Sequence, residues 1–263
     1  MNNLNDNMAQ TYDKENRGVP RLIARHIITL VPPINRESVV HDNACGPAIV
    51  TSEMLSTVPS NITPLRIEAT DISAPMIEAA SDVIKSNDWD FVNTSVMDSQ
   101  KLSFENDTFS HSITNLLIPS APSAVSEIYR TLKPGGTAVY TVWKSHGFLD
   151  LMRRCGGAIR GNNGPTGGMP PQPTAESLKA MFELAGFGGG EIVVQTHNDA
   201  LPFKGLDDLN DLAVGPFGKF LTKDWSAEEV GRLPETIGKV LTAEELNTMS
   251  LEMVVWVIIA KKL

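Results

Sequence analysis

Two kinds of hydrophobic spacing alternate along residues 21–143. Short runs rich in Val, Ile and Thr are typical of strands, and longer stretches with apolar residues three or four apart are typical of helices. Because strands that alternate with helices form βαβ units, the pattern predicts an α/β fold around a mainly parallel sheet. The predicted strands are residues 38–42, 65–71, 90–95, 108–115 and 137–143, and the predicted helices are residues 21–30, 49–57, 74–86 and 121–132.

The pattern becomes less regular beyond residue 143. Residues 156–173 are crowded with Gly and Pro, which predicts a loop. The remaining predicted elements are a helix at 175–184, a strand at 191–196, a mostly helical segment at 199–249 and a last strand at 250–260. The expected division of the chain is an N-terminal arm or lid at 1–30, a core at 31–198 with a loop insertion at 145–173, a helical lid at 199–249 and a last core strand at 250–263.

Charge and composition argue against several classes of function. The net charge is −9, and the 22 Lys and Arg residues are scattered, whereas a nucleic-acid surface needs them clustered. The longest strongly apolar run, residues 253–260, is too short to cross a bilayer, and the polar start lacks a signal-peptide core. Cys45 and Cys155 are too few for a zinc site. We expect a cytoplasmic protein that acts on a small molecule and binds no metal, nucleic acid or membrane. Whether it forms a homodimer is left open.

The turn after the first predicted strand has the composition of a ligand-binding loop. Asp42 ends the strand, and the small residues Ala44, Gly46 and Ala48 alternate along the turn. Small side chains let the backbone approach a ligand closely, and the helix that follows offers free N–H groups. A tight turn that is packed for its own sake has the same composition, so this turn alone leaves both interpretations open.

Acidic residues also follow the next two predicted strands. Asp71 lies about 25 to 30 residues beyond the first turn, where a carboxylate can accept hydrogen bonds from ribose hydroxyls. The alternative role is a helix cap, but Ser73 is the better candidate for that cap. Asp98 follows the third strand beside Met97, and an acid next to an apolar side chain suits an adenine ring and its exocyclic amine. The alternative for Asp98 is a surface loop.

Four segments, in this order, resemble motifs of class I S-adenosylmethionine (SAM)-dependent methyltransferases. Residues 39–46 are similar to motif I, residues 70–76 to the strand-two acid with its helix start, and the segment around Asp98 to the adenine-binding segment. Residues 132–136, Leu-Lys-Pro-Gly-Gly, resemble the turn before strand five in the ubiquinone- and menaquinone-biosynthesis-type branch. The Asn-Ala-Cys-Gly turn most resembles fungal natural-product methyltransferases, including gliotoxin-type thiomethyltransferases.

The resemblance implies a Rossmann-like seven-stranded sheet with an antiparallel last strand, a helical lid insertion and SAM as the cofactor. This chain has Ala44 and Ala48 where the family prefers glycine, and alanine adopts a positive φ angle less readily. Relatives of the gliotoxin type share the alanine at 44. The cofactor-binding residues that the resemblance and the pattern together imply are Tyr12, Asp42, Asn43, Ala44, Gly46, Asp71, Ile72, Met76, Met97, Asp98, Ser99 and Asn115.

Methyl transfer from SAM needs a positioned acceptor and exclusion of water, and it needs a base only if the acceptor arrives protonated. His146, just past the fifth predicted strand, is the candidate base, with a solvated loop histidine as the alternative. We expect Trp143, His197 and Phe203 to bind the acceptor. The histidines that we expect to be structural are His26, His41 and His111.

The leading hypothesis is SAM-dependent methylation of an O, N or S atom of a small, lipophilic secondary metabolite. The runner-up is a SAM-binding, methyltransferase-like protein that catalyses a cyclisation or pericyclic step without methyl transfer. A third hypothesis is a binding or regulatory partner of another methyltransferase. A dinucleotide-dependent oxidoreductase also has a glycine turn and a strand-two acid, but Asp98 and the Leu-Lys-Pro-Gly-Gly segment favour a methyltransferase.

Overall fold

The computed structural model describes residues 9–57, 66–117, 121–161 and 172–263, which are built around one seven-stranded sheet. The strand order is β3-β2-β1-β4-β5-β7-β6. The strands are β1 (Val39–Asn43), β2 (Arg66–Asp71), β3 (Val92–Val96), β4 (Phe109–Thr114), β5 (Leu132–His146), β6 (Ile192–Pro202) and β7 (Ser250–Lys261).

Hydrophobic clusters cover both faces of this sheet. Successive strand residues point to opposite faces, and on β5 the side chain of Val139 enters one cluster while Ala138 and Tyr140 enter the other. The helices are α1 (Tyr12–Glu15), α2 (Val19–Ile28), α3 (Ile49–Thr57), α4 (Ala74–Ser86), α5 (Pro122–Thr131), α6 (Gly147–Arg160), α7 (Ala175–Ala185), α8 (Leu206–Val214), α9 (Pro216–Leu221), α10 (Ala227–Gly231), α11 (Leu233–Val240) and α12 (Ala243–Thr248).

The topology places a ligand site between β1 and β4. Strand β1 pairs in parallel with β2 on one side and with β4 on the other, so the direction of winding changes there. Ligands of open parallel sheets bind at such a switch point, beyond the carboxyl ends of the strands. Strand β7 is antiparallel to both β5 and β6. The predicted Rossmann-like, seven-stranded sheet with an antiparallel last strand is thereby confirmed.

The helical segment between β6 and β7 leaves and rejoins the sheet at neighbouring positions. Pro202 at the end of β6 pairs with Ser250 at the start of β7. Just beyond this pair, the backbone N–H of Phe203 donates to the carbonyl of Met249 at 2.9 Å. Helices α8 to α12 lie between these two residues.

Three predictions of local structure are wrong in part. Residues 156–160 belong to α6 rather than to a loop, because Cys155 and Ile159 enter the main core and the glycines between them follow the helix. Residues 162–171 of that predicted loop lie outside the described residues. Strand β6 continues from its predicted end to Pro202, because it pairs with β7 along its whole length. The predicted turn at 133–136 lies within β5, at an irregularity in its pairing with β4.

The predicted N-terminal arm is helical in part. Residues 12–15 form α1, and a backbone turn with φ of +50° at Arg17 and +75° at Gly18 leads into α2. Residues 1–8 of the arm lie outside the described residues. Among the helices that the structure describes, we find none with the length and apolar character that a membrane span requires.

Candidate active site

The turn between β1 and α3 has a left-handed backbone at three alternate residues. The φ angle is +55° at Ala44, +52° at Gly46 and +60° at Ala48. Glycine adopts this conformation readily, whereas any other L-residue in it costs roughly 1–2 kcal/mol. The chain therefore follows the backbone path of a glycine-rich turn while carrying strain at its two alanines.

Asp42 is buried at the end of β1, below this turn. Its Oδ2 atom accepts hydrogen bonds from the backbone N–H of Thr51 at 3.0 Å and from the Thr51 hydroxyl at 2.6 Å. Its Oδ1 atom is also buried and has no hydrogen-bond partner among the described residues. Burial raises the pKa of Asp42 from 3.8 to about 6, the hydrogen bonds from Thr51 oppose this rise, and the charge of Asp71 adds to it. A cationic group beside Oδ1 would compensate the buried charge.

Asp71 joins the first motif to the second. At the end of β2, its Oδ2 atom accepts a hydrogen bond from the backbone N–H of Gly46 at 2.9 Å, and its Oδ1 atom accepts one from the backbone N–H of Ser73 at 2.9 Å. The Ser73 hydroxyl in turn accepts from the N–H of Met76, so Ser73 caps α4 as the sequence predicts. Beside this carboxylate, the side chain of Ile72 is 52% exposed. The pair offers a ligand a carboxylate and an apolar surface.

The third motif is attached to the first through Asn43. The Oδ1 atom of Asn43 accepts a hydrogen bond from the Ser99 hydroxyl at 2.8 Å, and its Nδ2 atom donates to the Thr114 hydroxyl at 3.1 Å. The backbone N–H of Met97 donates to the carbonyl of the strand-two acid at 2.9 Å. Asp98 lies between these two anchored residues. Its position beside the ends of β1 and β2 is therefore fixed from both sides.

Tyr12 and Asn115 close the side of the turn that faces α2. The Nδ2 atom of Asn115 donates to the carbonyl of Pro20 at 3.1 Å, and its Oδ1 atom accepts from the Thr141 hydroxyl at 2.8 Å. Tyr12, Pro20 and Asn115 line a cavity of about 30 Å³ together with residues 44–46. Burial, followed by the charges of two nearby aspartates, raises the pKa of Tyr12 to about 12. The phenol thus stays protonated and can donate a hydrogen bond.

The residues predicted to bind the cofactor therefore lie together at the carboxyl edge of β1 to β4 or on segments packed against it. Met76 belongs to this group because its sulfur lies 4.0 Å from the position that a Cβ atom on Gly46 would take. It also packs with Ala9, Ala79 and Tyr12 in a small apolar cluster. The geometry is compatible with the predicted cofactor roles, which stay predictions for each single residue.

His146 lies in an aromatic cluster at the end of β5. Its ring centroid is 4.8 Å from that of Trp143 and 5.5 Å from that of Phe217, and both contacts are edge-on. Its Nδ1 atom accepts a hydrogen bond from the backbone N–H of Leu149 at 3.4 Å and so caps α6. Burial lowers the pKa of His146 to about 4. The imidazole is neutral at pH 7, and with Nδ1 accepting, its proton lies on Nε2.

The other two residues predicted to bind the acceptor make different contacts. His197 stacks on His26 of α2 with ring centroids 3.8 Å apart, and its Nε2 atom lies 2.9 Å from Oδ2 of Asp199. Phe203 is buried in the main core. The other two histidines are packed, as expected. His41 stacks on Phe109, and His111 lies against the carbonyl of Pro32.

Sequence reasoning missed the residues that hold the site residues in place. Thr51 and Thr141 orient Asp42 and Asn115. A threonine in the first turn of the helix after motif I was a readable signal for Thr51. No local pattern marks Thr141. Within the described ranges, no group of three or more His, Cys, Asp or Glu side chains is arranged to hold a metal.

Comparison with known proteins shows which family this geometry is similar to. Residues 40–136 match the family model for a methyltransferase domain. Methyltransferase tpcH from Aspergillus fumigatus is 22% identical over 232 residues, an alignment that covers 80% of this chain and 79% of tpcH. The strand-two acid and the turn at 43–48 both lie inside the matched residues.

Solved structures show the same fold. The BH2331 protein of Bacillus halodurans superposes with a TM-score of 0.58 at 16% identity, covering 90% of this chain and 98% of that protein. Phosphoethanolamine N-methyltransferase 2 of Haemonchus contortus, solved with S-adenosylhomocysteine, superposes with a TM-score of 0.55 at 17% identity. The superposition covers 92% of this chain and 52% of that protein. The fold is that of class I SAM-dependent methyltransferases. The methyltransferase domain matched at residues 40–136 and the methyltransferase relatives support a SAM-dependent methyltransferase, with SAM as its cofactor.

The residues at the switch point fit SAM. The cofactor carries a sulfonium and an ammonium group, and the site offers the carboxylates of Asp42 and Asp71. The Oδ1 atom of Asp42 is a buried acceptor without a partner among the described residues, which is the group that a cation would satisfy. The turn at 44–48 adds close access to the backbone and a helix N-terminus.

Proposed function

We propose that the enzyme transfers the methyl group of SAM to an O, N or S atom of a small, lipophilic acceptor. The observation that carries the proposal is the buried, partly unsatisfied Asp42 next to Asp71 at the switch point, because this arrangement suits a cationic ligand. When bound, SAM supplies a methyl group that is already activated by its sulfonium. The protein then has to position the acceptor and exclude water, and these are the roles that we assign to its side chains.

We assign the acceptor to the space around the aromatic cluster at the end of β5. Trp143 and His146 come from the sheet and Phe217 comes from the helical segment, so the cluster joins the core to the proposed lid. Aromatic side chains bind flat, apolar molecules well and keep water out. We retain the division into an arm or lid at 1–30, a core at 31–198, a helical lid at 199–249 and a last core strand at 250–263 as part of this proposal.

The chemistry at the acceptor depends on its acidity. A phenol or protonated amine needs a base, and neutral His146 is the proposed base. In the tautomer described above, its accepting atom Nδ1 is bonded to the N–H of Leu149, so His146 must give up this cap to take a proton. A thiol loses its proton more easily and can react without that base.

The occupied Nδ1 atom also favours a second candidate function, in which the enzyme binds SAM but catalyses a cyclisation or pericyclic step. We place either reaction in secondary metabolism, because the Asn-Ala-Cys-Gly turn resembles fungal natural-product enzymes and the gliotoxin type among them. A cytoplasmic location and a homodimer belong to the same proposal.

Release of S-adenosylhomocysteine (SAH) separates these functions. The purified enzyme is incubated with SAM and a panel of phenols, thiols and amines, and SAH is quantified by mass spectrometry together with the acceptor mass. A gain of one methyl group per SAH supports methyl transfer. SAM binding without SAH release across the panel, with an isomerised product, would support cyclisation. Binding of NAD without binding of SAM would contradict both.

A further inference from the structure

A network of four charged side chains connects the N-terminal segment to α3. Helix α3 directly follows the turn at residues 44–48, which we call the cofactor turn. Arg21 on α2 is the centre of the network. The Nε atom of Arg21 lies 2.7 Å from Oδ2 of Asp13, and its Nη1 atom lies 2.9 Å from Oε1 of Glu53 on α3. Arg25, one helical turn later, contacts Glu53 at 2.6 Å. Of these two arginines, Arg21 is therefore the one that joins α1 to α3.

Glu53 is the most buried side chain of this network and is held in place by both arginines. Its side chain is only 7% exposed. Burial by itself would raise the pKa of Glu53, but the hydrogen bonds from Arg25 and Arg21 hold it below its ordinary value. The carboxylate is thus ionised at neutral pH and fixed by two arginines. Because α3 begins directly after the cofactor turn, a residue tied to Glu53 is tied to that turn.

The residue next to Asp13 is Tyr12, and its side chain lines two spaces. Tyr12 lines the cavity of about 30 Å³ at the cofactor turn. It also lines a neighbouring cleft of about 430 Å³, whose wall includes Asp13, Arg21 and Ala79. Sites for small-molecule ligands usually have several hundred Å³. Tyr12 thus contributes a wall to the cavity at the turn and to the neighbouring cleft.

We propose that Arg21 is a positioning residue for cofactor binding, which holds Tyr12 at the cofactor turn by anchoring Asp13 to Glu53. The proposal rests on the proposed function, since it assumes that SAM binds at this turn. It adds a residue that lies outside all four sequence motifs. The other end of the segment is held separately, because Arg17 pairs with Asp208 of α8 with Nη2 2.9 Å from Oδ1. Loss of Arg21 therefore releases the Tyr12 end alone.

The test is the affinity for SAH of three variants, measured by titration calorimetry. Arg21→Gln should bind SAH up to about fivefold more weakly than the wild type, which is the upper range for a partly exposed ion pair. Asp13→Asn should give the same loss, and it leaves the Arg21–Glu53 pair in place. Arg25→Gln is the matched control, because it removes a partner of Glu53 without touching α1. Its affinity should equal that of the wild type.

Hydrogen exchange distinguishes positioning from a general effect on the fold. The amides of residues 12–16 should exchange faster in Arg21→Gln and Asp13→Asn, while α3 keeps its protection. The double variant Tyr12→Ala/Arg21→Gln should bind SAH no more weakly than Tyr12→Ala. Both changes remove the same interaction, the contact of Tyr12 with the cofactor, so their effects do not add. If Arg21→Gln does not fold, Asp13→Asn carries the test.

Two results would overturn the proposal while leaving SAM binding intact. The first is wild-type affinity in the folded Arg21→Gln and Asp13→Asn variants. The second is an equal loss in Arg25→Gln, which would mean that Glu53 acts through the fold and not through Tyr12. A wild-type protein that bound neither SAM nor SAH would refute the proposed function and this inference together.

Discussion

Replacing Asp42 by asparagine tests whether the buried carboxylate at the end of β1 is kept for a cationic ligand. The pKa of Asp42 is raised from 3.8 to about 6, mainly by burial. The folded state therefore holds this proton up to a higher pH than the unfolded chain does. As the pH rises from about 4 through 6, the free energy of unfolding should fall by about 3 kcal/mol on account of this group alone. Above pH 7 the whole loss is present.

An asparagine side chain cannot ionise, so the Asp42→Asn variant should lack this contribution. The amide oxygen can still accept both hydrogen bonds from Thr51, and the cost of placing an amide NH2 at the buried Oδ1 position is the same at each pH. The comparison is therefore the difference between variant and wild type in urea unfolding at pH 4.5 and pH 8 without ligand. Between pH 4.5 and pH 8 this difference should change by about 2 kcal/mol in favour of the variant, because about 1 of the 3 kcal/mol is already lost at pH 4.5.

Cofactor affinity should show the opposite effect. SAM binding favours the ionised carboxylate, so the wild type should bind SAM up to about tenfold more weakly at pH 5 than at pH 7, because only about a tenth of the protein is then in the binding state. Asp42→Asn should bind weakly at both values. Parallel stability profiles for the two proteins, or a SAM affinity that is constant across pH 5 to 7 in the wild type, would refute this reasoning.

Three further predictions concern the strand-two acid, the proposed base and the turn after β1. Asp71→Ala should weaken SAM binding by roughly 1.5–3 kcal/mol in calorimetry, whereas Asp150→Ala, which removes an exposed acid on α6, should leave it unchanged; equal affinities would reduce Asp71 to a support for the turn. His146→Ala should lower turnover toward phenols about 100-fold or more with SAM affinity intact, while thiol acceptors stay reactive; full activity toward phenols would remove the base. Because its pKa is lowered to about 4, wild-type His146 should not limit the rate between pH 6 and 9. Ala44→Gly should raise the free energy of unfolding by up to about 1 kcal/mol, because the relief of φ strain exceeds the added entropy of the unfolded chain. A lower free energy of unfolding in a denaturant titration would contradict this.

Local signals predicted much of this architecture, and long-range packing explains what they left out. Helix α4 has the predicted bounds because Ser73 caps its start and the apolar spacing persists to the last turn before Ser86. The bonds from Gly46 to Asp71 and from Ser99 to Asn43 connect motifs far apart in the chain, yet motif order sufficed to place them together. Such order follows from the topology of parallel sheets, which bring strand ends to one edge.

The errors arose where distant residues decide a local structure. The glycines of α6 predict a loop, but Ile159 and its neighbours bury that segment in the core, and tertiary packing outweighs helix propensity. His146 follows a predicted strand, which indicates a loop position, but Phe217, far along the chain, covers it. The role inferred for Arg21 depends on Glu53 in the same way. No spacing rule connects such pairs.

The hydrogen bond between Phe203 and Met249 has a consequence for how such an enzyme diversifies. Helices α8 to α12 connect β6 to β7, and both ends of this connection lie at the same place on the sheet. There Pro202 of β6 pairs with Ser250 of β7, and Phe203 is hydrogen-bonded to Met249. The entropic cost of closing a loop rises only slowly with its length. A different segment could therefore replace α8 to α12 between β6 and β7 with little effect on the register of the two strands. The side at which we propose the acceptor could then change by recombination or insertion, while the edge at which we propose the cofactor is inherited unaltered.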